Sequence, residues 1–356
     1  MAAIHMGVIG LGRMGQIYSQ HVAHRIDGAR LWGVTDSLPG VAEEVASRFS
    51  SVRVYPTYQE LLEDPAIQAV IVATPTSTHR EIVVAAAQAG KAIFCEKPTA
   101  LTLAETDAMV AAVERAGVPF QIGFMRRFDR GYRAAKEKIQ QGVIGQPVTI
   151  RAISRDPHRT SLEFADPAKS GGLLVDVTIH DVDVCRWLME DEIQQVYAQA
   201  GALVYPELAS VGDVDNAMVL ANFRGGGLGY LEASRNARYG YDIQCEIIGS
   251  EGALRVGYLR ETPILVLTPN NVSHDVVPYF MERFGPAYAA QIEHFVACVQ
   301  EGRTPVVGPQ DARAALQVCL AASVSQLRGQ PVQVAEVTDA DFAAYLAAAK
   351  GPASHS

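Results

Sequence analysis

What is scarce in this chain narrows its possible roles before anything in it is read as a motif. Five cysteines occur in 356 residues, Cys95, Cys185, Cys245, Cys298 and Cys319, and no two of them stand as Cys-x-x-Cys. An odd, scattered set of this kind argues against a disulfide framework or a structural zinc site, and it reads as reduced core thiols of a cytoplasmic protein. Positive charge is in deficit, with 30 Lys and Arg against 39 Asp and Glu and a net charge of −9. That balance argues against nucleic acid or an anionic membrane as partner. No apolar run reaches the roughly 20 residues of a membrane span. The first residues pass directly into Met6-Gly7-Val8-Ile9-Gly10, without the charged leader and cleavage site of a secretory signal. Internal repeats are missing, and low complexity is confined to an alanine-rich final helix. The remaining composition, 49% hydrophobic and 19% charged, is that of a folded globular chain with enough length for two cores.

The first pattern present is a strand at residues 4–9 that runs into Gly10-Leu11-Gly12-Arg13-Met14-Gly15, with helical periodicity from Gln16. In that context Gly-x-Gly-x-x-Gly has a mechanical meaning. Gly10 allows the tight turn, Gly12 lets the backbone approach a pyrophosphate, and Gly15 lets helix and strand pack closely. The helix N-terminus offers its N–H groups to the anion. A second strand ends at Asp36, 21 residues beyond Gly15, near the ~20 at which an acid bonds the ribose 2′-OH of NAD. Strands and helices then alternate. Residues 69–73 form a buried parallel strand that ends in Thr74-Pro75-Thr76-Ser77-Thr78-His79. Residues 92–95 form another, which ends in Glu96-Lys97-Pro98. The carboxyl ends of such strands are where open α/β sheets bind ligands. Lys97 sits on that edge, held out of helical conformation by Pro98. It is an ordinary surface lysine unless a catalytic element of the second half faces the same cleft.

That element is the stretch 171–183, Gly-Gly-Leu-Leu-Val-Asp-Val-Thr-Ile-His-Asp-Val-Asp. Its periodicity predicts a helix over 175–189 in which Asp176 and His180, at i and i+4, share one face. A carboxylate stacked on an imidazole fixes the ring and favours its charged form, as a general acid/base requires. The same pattern also fits a helix with a solvated acidic face and a chance histidine. Asp176, His180 and Asp183 could ligate a metal, but no second His/Cys cluster supports one, and none is expected. Around this stretch lie a helix beginning at Met125-Arg126-Arg127-Phe128-Asp129, and strands at 148–154, 195–204, 217–223, 227–234, 243–249, 252–256 and 264–267. Helices at 286–301, 309–327 and 339–349 follow, and then a loose tail at 351–356. The expected architecture is therefore a doubly wound α/β Rossmann domain, residues 1–124, followed by an α+β domain, residues 125–356. The second domain carries a large, mostly antiparallel open sheet. One face of such a sheet must be covered, which predicts a homo-oligomer, a tetramer through sheet packing.

With these residues in view, the chain resembles the glucose–fructose oxidoreductase/inositol dehydrogenase/MocA family over essentially its full length. The carriers are the glycine turn at 10–15, Ala73-Thr74-Pro75 with His79, Glu96-Lys97-Pro98, and Asp176-x-x-x-His180. Within the family it is most similar to inositol 2-dehydrogenases, through Gly123-Phe124-Met125-Arg126-Arg127-Phe128-Asp129, Tyr239-Gly240-Tyr241-Asp242-Ile243-Gln244-Cys245-Glu246 and Ala287-Tyr288. The resemblance implies NAD-dependent oxidation of a ring hydroxyl of myo- or scyllo-inositol, with Lys97, Asp176 and His180 catalytic. It implies that Gly10, Gly12, Arg13, Met14, Gly15 and Asp36, with Thr74, Pro75, His79, Glu96 and Lys97, bind the cofactor. Met125, Arg127, Arg155, Asp156, Tyr239 and Tyr288 would join the catalytic set around the substrate. Ser154-Arg155-Asp156-Pro157 departs from the His-Arg-Asn-Pro pattern of myo-inositol enzymes, which leaves the inositol isomer open. An aldohexose 1-dehydrogenase that makes a lactone would carry the same catalytic residues. A regulator that senses sugar or cofactor without turnover would keep the glycine turn and could lose them.

Overall fold

Short apolar runs punctuated by glycine, proline or an acid give six strands: β1 (Ile4–Ile9), β2 (Ala29–Thr35), β3 (Arg53–Val54), β4 (Ala69–Val72), β5 (Ala92–Cys95) and β6 (Phe120–Ile122). In the computed structural model, which describes residues 3–349, they pair only in parallel, in the order β3-β2-β1-β4-β5-β6. The tail expected at 351–356 lies outside the described residues. Every residue of β4 and β5 is buried, as strands covered on both faces must be. The covering helices are α1 (Arg13–His24), α2 (Val41–Ala46), α3 (Tyr58–Glu63), α4 (His79–Gln88) and α5 (Leu103–Ala116). Local chemistry sets their ends. Thr102 caps α5 by accepting from Glu105 N, and Gly117 closes it in the left-handed conformation. The strand order reverses between β1 and β4, so the turns after those strands open side by side.

The second half begins with α6 (Arg130–Gln140). The helix expected from Met125 onward starts only after Asp129, and Met125–Phe128 is a 3-10 turn. Asp129 is the N-cap, accepting from Gly131 N at 3.0 Å and Tyr132 N at 3.2 Å. Then come β7 (Pro147–Arg155) and the short helices α7 (Leu162–Ala165), α8 (Pro167–Ser170) and α9 (Gly172–Asp176), followed by α10 (Thr178–Met189). The single helix expected over 175–189 is thus two pieces joined at Val177. The path stays right-handed there (φ −93°, ψ −52°), but His180 N bonds Val177 O at 3.4 Å, which tightens the turn between Asp176 and His180.

The strands β8 (Ile193–Gly201), β9 (Asn216–Phe223), β10 (Leu228–Ser234), β11 (Asp242–Gly249) and β12 (Ala253–Val256) join β7 in one sheet. A small hairpin, β13 (Val266–Thr268) with β14 (Asn271–Ser273), pairs apart from it. The helices α11 (Phe280–Glu301) and α12 (Pro309–Arg328), strand β15 (Val332–Gln333) and α13 (Asp339–Ala349) end the chain. The helix expected from 286 starts six residues earlier, with Pro286 inside it. The large sheet runs β12-β11-β7-β10-β9-β8-β15, antiparallel except for β7 with β10. Alternation in β9 shows its two faces: Ala217, Val219, Ala221 and Phe223 are buried, whereas Met218 and Leu220 are 55% and 56% exposed. Helix α10 packs on the buried face, against β7 and β10. Among the described residues no helix is long and apolar enough to cross a membrane.

By compactness the chain divides into residues up to Phe128 with Pro286–Ala314, and Asp129–Gly285 with the residues from Ala315 on. A single cut after residue 124 does not capture this. The returning segment supplies Phe295, edge-on to Phe94 with ring centroids 6.1 Å apart. It also supplies Gln291 O, which accepts from Gln121 Nε2 at 2.8 Å, and Val307 O, which accepts from Ile122 N at 3.2 Å.

Candidate active site

In the first unit the glycine turn is built by backbone geometry. Gly10 is left-handed (φ +87°), and a Cβ there would lie 2.8 Å from Thr74 N and 2.9 Å from Ala73 C. A Cβ on Gly15 would fall 1.9 Å from Gly10 O, which is how closely α1 returns onto the turn. Gly12 is different. Its backbone is ordinary (φ −63°) and a Cβ would meet nothing within 4 Å. Neither the fold nor the backbone requires glycine at that position, so the requirement comes from something that approaches from outside the chain. No side chain caps the start of α1. Asp36, half-buried at the end of β2, accepts from Leu11 N at 2.6 Å and from Leu38 N at 2.8 Å. It therefore braces the glycine turn while each oxygen keeps a second lone pair for a ribose hydroxyl. An exposed glycine at a helix start that no side chain caps, with an acid at the end of β2, fits a dinucleotide. Arg13 is exposed and Met14 half-buried at the same helix start.

The turns after β4 and β5 are tied together by His79, the first residue of α4. Its Nε2 stands 2.9 Å from Thr74 O and its Nδ1 3.0 Å from Pro98 O. Both partners are carbonyls, so a neutral ring can donate to only one of them at a time. Burial lowers the pKa of this ring. Pro75 is exposed beside it. Glu96 is buried at the end of β5, accepting from the Tyr18 hydroxyl and, at 3.0 Å, from Lys97 N. Gln291 Nε2 donates to Tyr18 Oη at 2.8 Å. Burial raises the Glu96 pKa, with the Tyr18 bond and the Lys97 charge opposing it; burial also drives the Tyr18 hydroxyl well above its usual value. A Cβ on Gly123 would come within 3.1 Å of the Glu96 carboxyl, so that glycine makes its room. The backbone of Lys97 is thereby seated by an interior network, and its side chain is half-buried. Tyr288, expected in the second domain, belongs to this unit and lies edge-on to Tyr18 at 6.4 Å. Met125 is buried. Arg127, expected to face substrate, has its fork committed: Nη2 pairs with Asp311 at 2.8 Å and Nη1 donates to Val306 O at 3.4 Å.

In the second unit the helix pair α9–α10 carries Asp176 and His180, both facing the covered side of the sheet. Period-two alternation along β7 separates two of the expected substrate ligands. Ser154 is fully buried on the helix-covered side, and Asp156, held by Asp156 N to Ser234 O at 2.8 Å, follows two residues later. Arg155 points to the other face, shared with exposed Arg151 and Tyr230. There it bonds Glu232 at 2.5 Å, Asp242 at 3.1 Å and the Tyr239 hydroxyl at 3.0 Å. Tyr239 in turn donates to Asp242 at 2.9 Å. Arg155 and Tyr239 therefore form a group on the side of the sheet away from α10, contrary to the expectation that they face substrate with His180. The residue passed over is Ser154, and the alternation itself could have found it. Arg235 was also passed over: it is buried and reaches both Asp213 and Asp176. Among the described residues no group of three His, Cys, Asp or Glu side chains is arranged to hold a metal ion.

A six-stranded parallel sheet in this order, with a bare glycine turn and a bracing acid, defines a dinucleotide-binding protein. Residues 4–124 match the family described as oxidoreductase family, NAD-binding Rossmann fold, and residues 132–255 match the GFO/IDH/MocA C-terminal domain. The chain belongs to the GFO/IDH/MocA oxidoreductase family, and it is an NAD-dependent dehydrogenase. It is 41% identical to scyllo-inositol 2-dehydrogenase (NAD(+)) of Bacillus subtilis, over 93% of this chain and 96% of that one. It is 38% identical to myo-inositol 2-dehydrogenase of Thermotoga maritima, over 94% and 99%. The crystal structure of scyllo-inositol dehydrogenase from Lactobacillus casei, with bound NAD(H) and scyllo-inositol, superposes with a TM-score of 0.89. It has 31% identity and covers 94% of this chain and 100% of that one.

Proposed function

We propose that the protein oxidises one ring hydroxyl of an inositol, scyllo- or myo-, to the inosose, with NAD⁺ as the hydride acceptor. The observation that carries this reading is the full catalytic set in a chain so similar to inositol dehydrogenases. Lys97 is seated by buried Glu96, and Asp176 with His180 stands on α9–α10. The glycine turn and Asp36 hold the dinucleotide, with Arg13, Met14, Thr74, Pro75, His79 and Glu96 shaping its surroundings. A nicotinamide bound there would supply the hydride acceptor for the substrate carbon. A neutral His180 takes the hydroxyl proton as general base, and the Asp176 carboxylate stabilises the imidazolium that results. The Lys97 ammonium donates to the substrate oxygen and stabilises the charge that develops on it. Met125, Asp156 and Tyr288 we assign to the substrate ring. Arg127, Arg155 and Tyr239 hold the segments that carry those residues, through their ion pairs.

Serine and aspartate at 154 and 156, where the myo-inositol pattern has histidine and asparagine, leave scyllo-inositol and an aldohexose open alongside myo-inositol. The test is a panel of inositols and aldoses scored by NADH formation, with the product identified by NMR. A ketone on a carbocycle supports the proposal, a lactone replaces it with aldose oxidation, and no turnover with any polyol leaves a sensor. We also propose that the protein works in the cytoplasm as a homotetramer. All five cysteines are free and buried. The uncovered sheet face presents Met218, Leu220 and Leu228, an apolar area of the kind that isologous contacts cover.

A further inference from the structure

A general base must be neutral before it can act, and His180 stands four residues from an acid on the same helical path. An unopposed carboxylate at Asp176 would favour the imidazolium in the resting enzyme. The structure supplies an opposing charge. Arg235, at the end of β10 and 2% exposed, pairs with Asp213 at 2.6 Å and with Asp176 at 3.4 Å, while the Asp213 and Asp176 side chains are 1% and 16% exposed. Asp213 is anchored in its turn. One oxygen accepts from Leu173 N at 2.8 Å at the start of α9, and a Cβ on Gly172 would lie 2.6 Å from that oxygen. Gly172, left-handed at φ +67°, leaves the room for it. Arg235 thus links Asp213, at one end of α9, to Asp176 at the other.

We propose that Arg235 is a positioning residue of the active site: its guanidinium, divided between Asp213 and Asp176, fixes the Asp176 carboxylate and weakens its pull on the His180 ring. A purely structural pair would need only Asp213, whereas this guanidinium also reaches the acid that ends α9. The titratable groups at the fork include Asp213 from the loop before β9, whose carboxyl burial pushes up while the Arg235 charge opposes it, Asp176 from α9, His180 from α10 and Tyr345 from α13. Burial, and then the Asp213 charge, push the Tyr345 hydroxyl up, so it stays neutral and leaves the balance to the other groups.

This inference rests on His180 as the base, and its test separates the two. The His180 ring is titrated by NMR in the protein without cofactor, its signal assigned by its loss in His180→Gln. In Asp213→Asn the whole Arg235 charge falls to Asp176, and the His180 midpoint should drop by about one pH unit. In the double variant Arg235→Gln/Asp213→Asn one charge of each sign is removed, Asp176 loses the Arg235 charge, and the midpoint should rise by about as much. The acid limb of kcat/KM should move in the same two directions, and Arg235→Lys should restore the midpoint more than kcat. A midpoint that stays put in both variants, or moves the same way in both, makes Arg235 structural only. Should His180→Gln keep its turnover, the base assignment fails, whatever the titrations show.

Discussion

Alanine at Gly12 separates what the fold needs from what the ligand needs. The Gly12 backbone is one that any residue adopts, and a methyl group there meets no protein atom within 4 Å. Gly12→Ala should therefore leave the stability of the cofactor-free protein nearly unchanged, a gain of about 0.4–1 kcal/mol from a less flexible unfolded chain being offset by the poorer N-cap that alanine makes for α1. Gly10→Ala is the control. At φ +87° a Cβ costs about 1–2 kcal/mol, before its 2.8 Å approach to Thr74 N is counted. Only the ligand opposes a methyl at residue 12. Overpacking of one methyl against a pyrophosphate costs roughly 1–3 kcal/mol, which is about 5- to 150-fold in Kd. Calorimetric melting of the cofactor-free variants gives the first quantity and NAD⁺ titration calorimetry the second. Gly12→Ala should melt close to the parent and bind NAD⁺ at least fivefold more weakly, while Gly10→Ala melts lower. If Gly12→Ala binds NAD⁺ as the parent does, the dinucleotide does not cross the turn at that residue.

Other substitutions test the site from different sides. Asp36→Ala should erode the preference for NAD⁺ over NADP⁺ and loosen the turn it braces through Leu11 N; a parent enzyme that uses both equally well would sink the assignment. His180→Ala should lower kcat by roughly 10²–10⁴ with little change in NAD⁺ affinity, since the glycine turn lies in the other unit; near-normal kcat across the pH profile would remove histidine from the mechanism. Glu96 is a linkage test. Burial raises its folded pKa, so its protonated form favours the folded state. That contribution is complete below the unfolded value and fades as pH rises through the folded one. The urea midpoint of Glu96→Gln relative to the parent should climb from roughly pH 4 towards neutrality, and a flat difference would mean that Glu96 ionises without penalty.

The doubly wound character of the first domain and the glycine turn were legible because their signals are local: a strand, a turn and a helix succeed one another within about a dozen residues, and Asp36 falls in register with them. Asp176 and His180 stood out through their i, i+4 spacing, although the single helix that spacing predicts is two pieces joined at Val177. The fork that joins Arg235 to Asp176 and Asp213 was not legible. Its members are 59 and 22 residues apart, and nothing in a periodic pattern links them. Pro286 misled in another way. Proline is favoured in the first turn of a helix, yet α11 begins at Phe280 and carries Pro286 within it. Arg155 shows a signal present but unused: in a strand whose neighbours alternate, adjacent residues cannot face the same side.

The return of Pro286–Ala314 to the first unit bears on how the protein is made. Chains emerge from the ribosome N-terminus first, and units able to close early do so. Here the first unit waits for Phe295, Gln291 and Val307, which complete Phe94, Gln121 and Ile122. The second unit waits for the residues after Ala314. Neither can finish until nearly the whole polypeptide has been synthesised, so during translation the patch around Phe94, Gln121 and Ile122 stays open to chaperones for most of the elongation time. A cofactor-binding segment cut after residue 124 would leave that patch without its cover, and it would be a poor cassette for transfer to another scaffold.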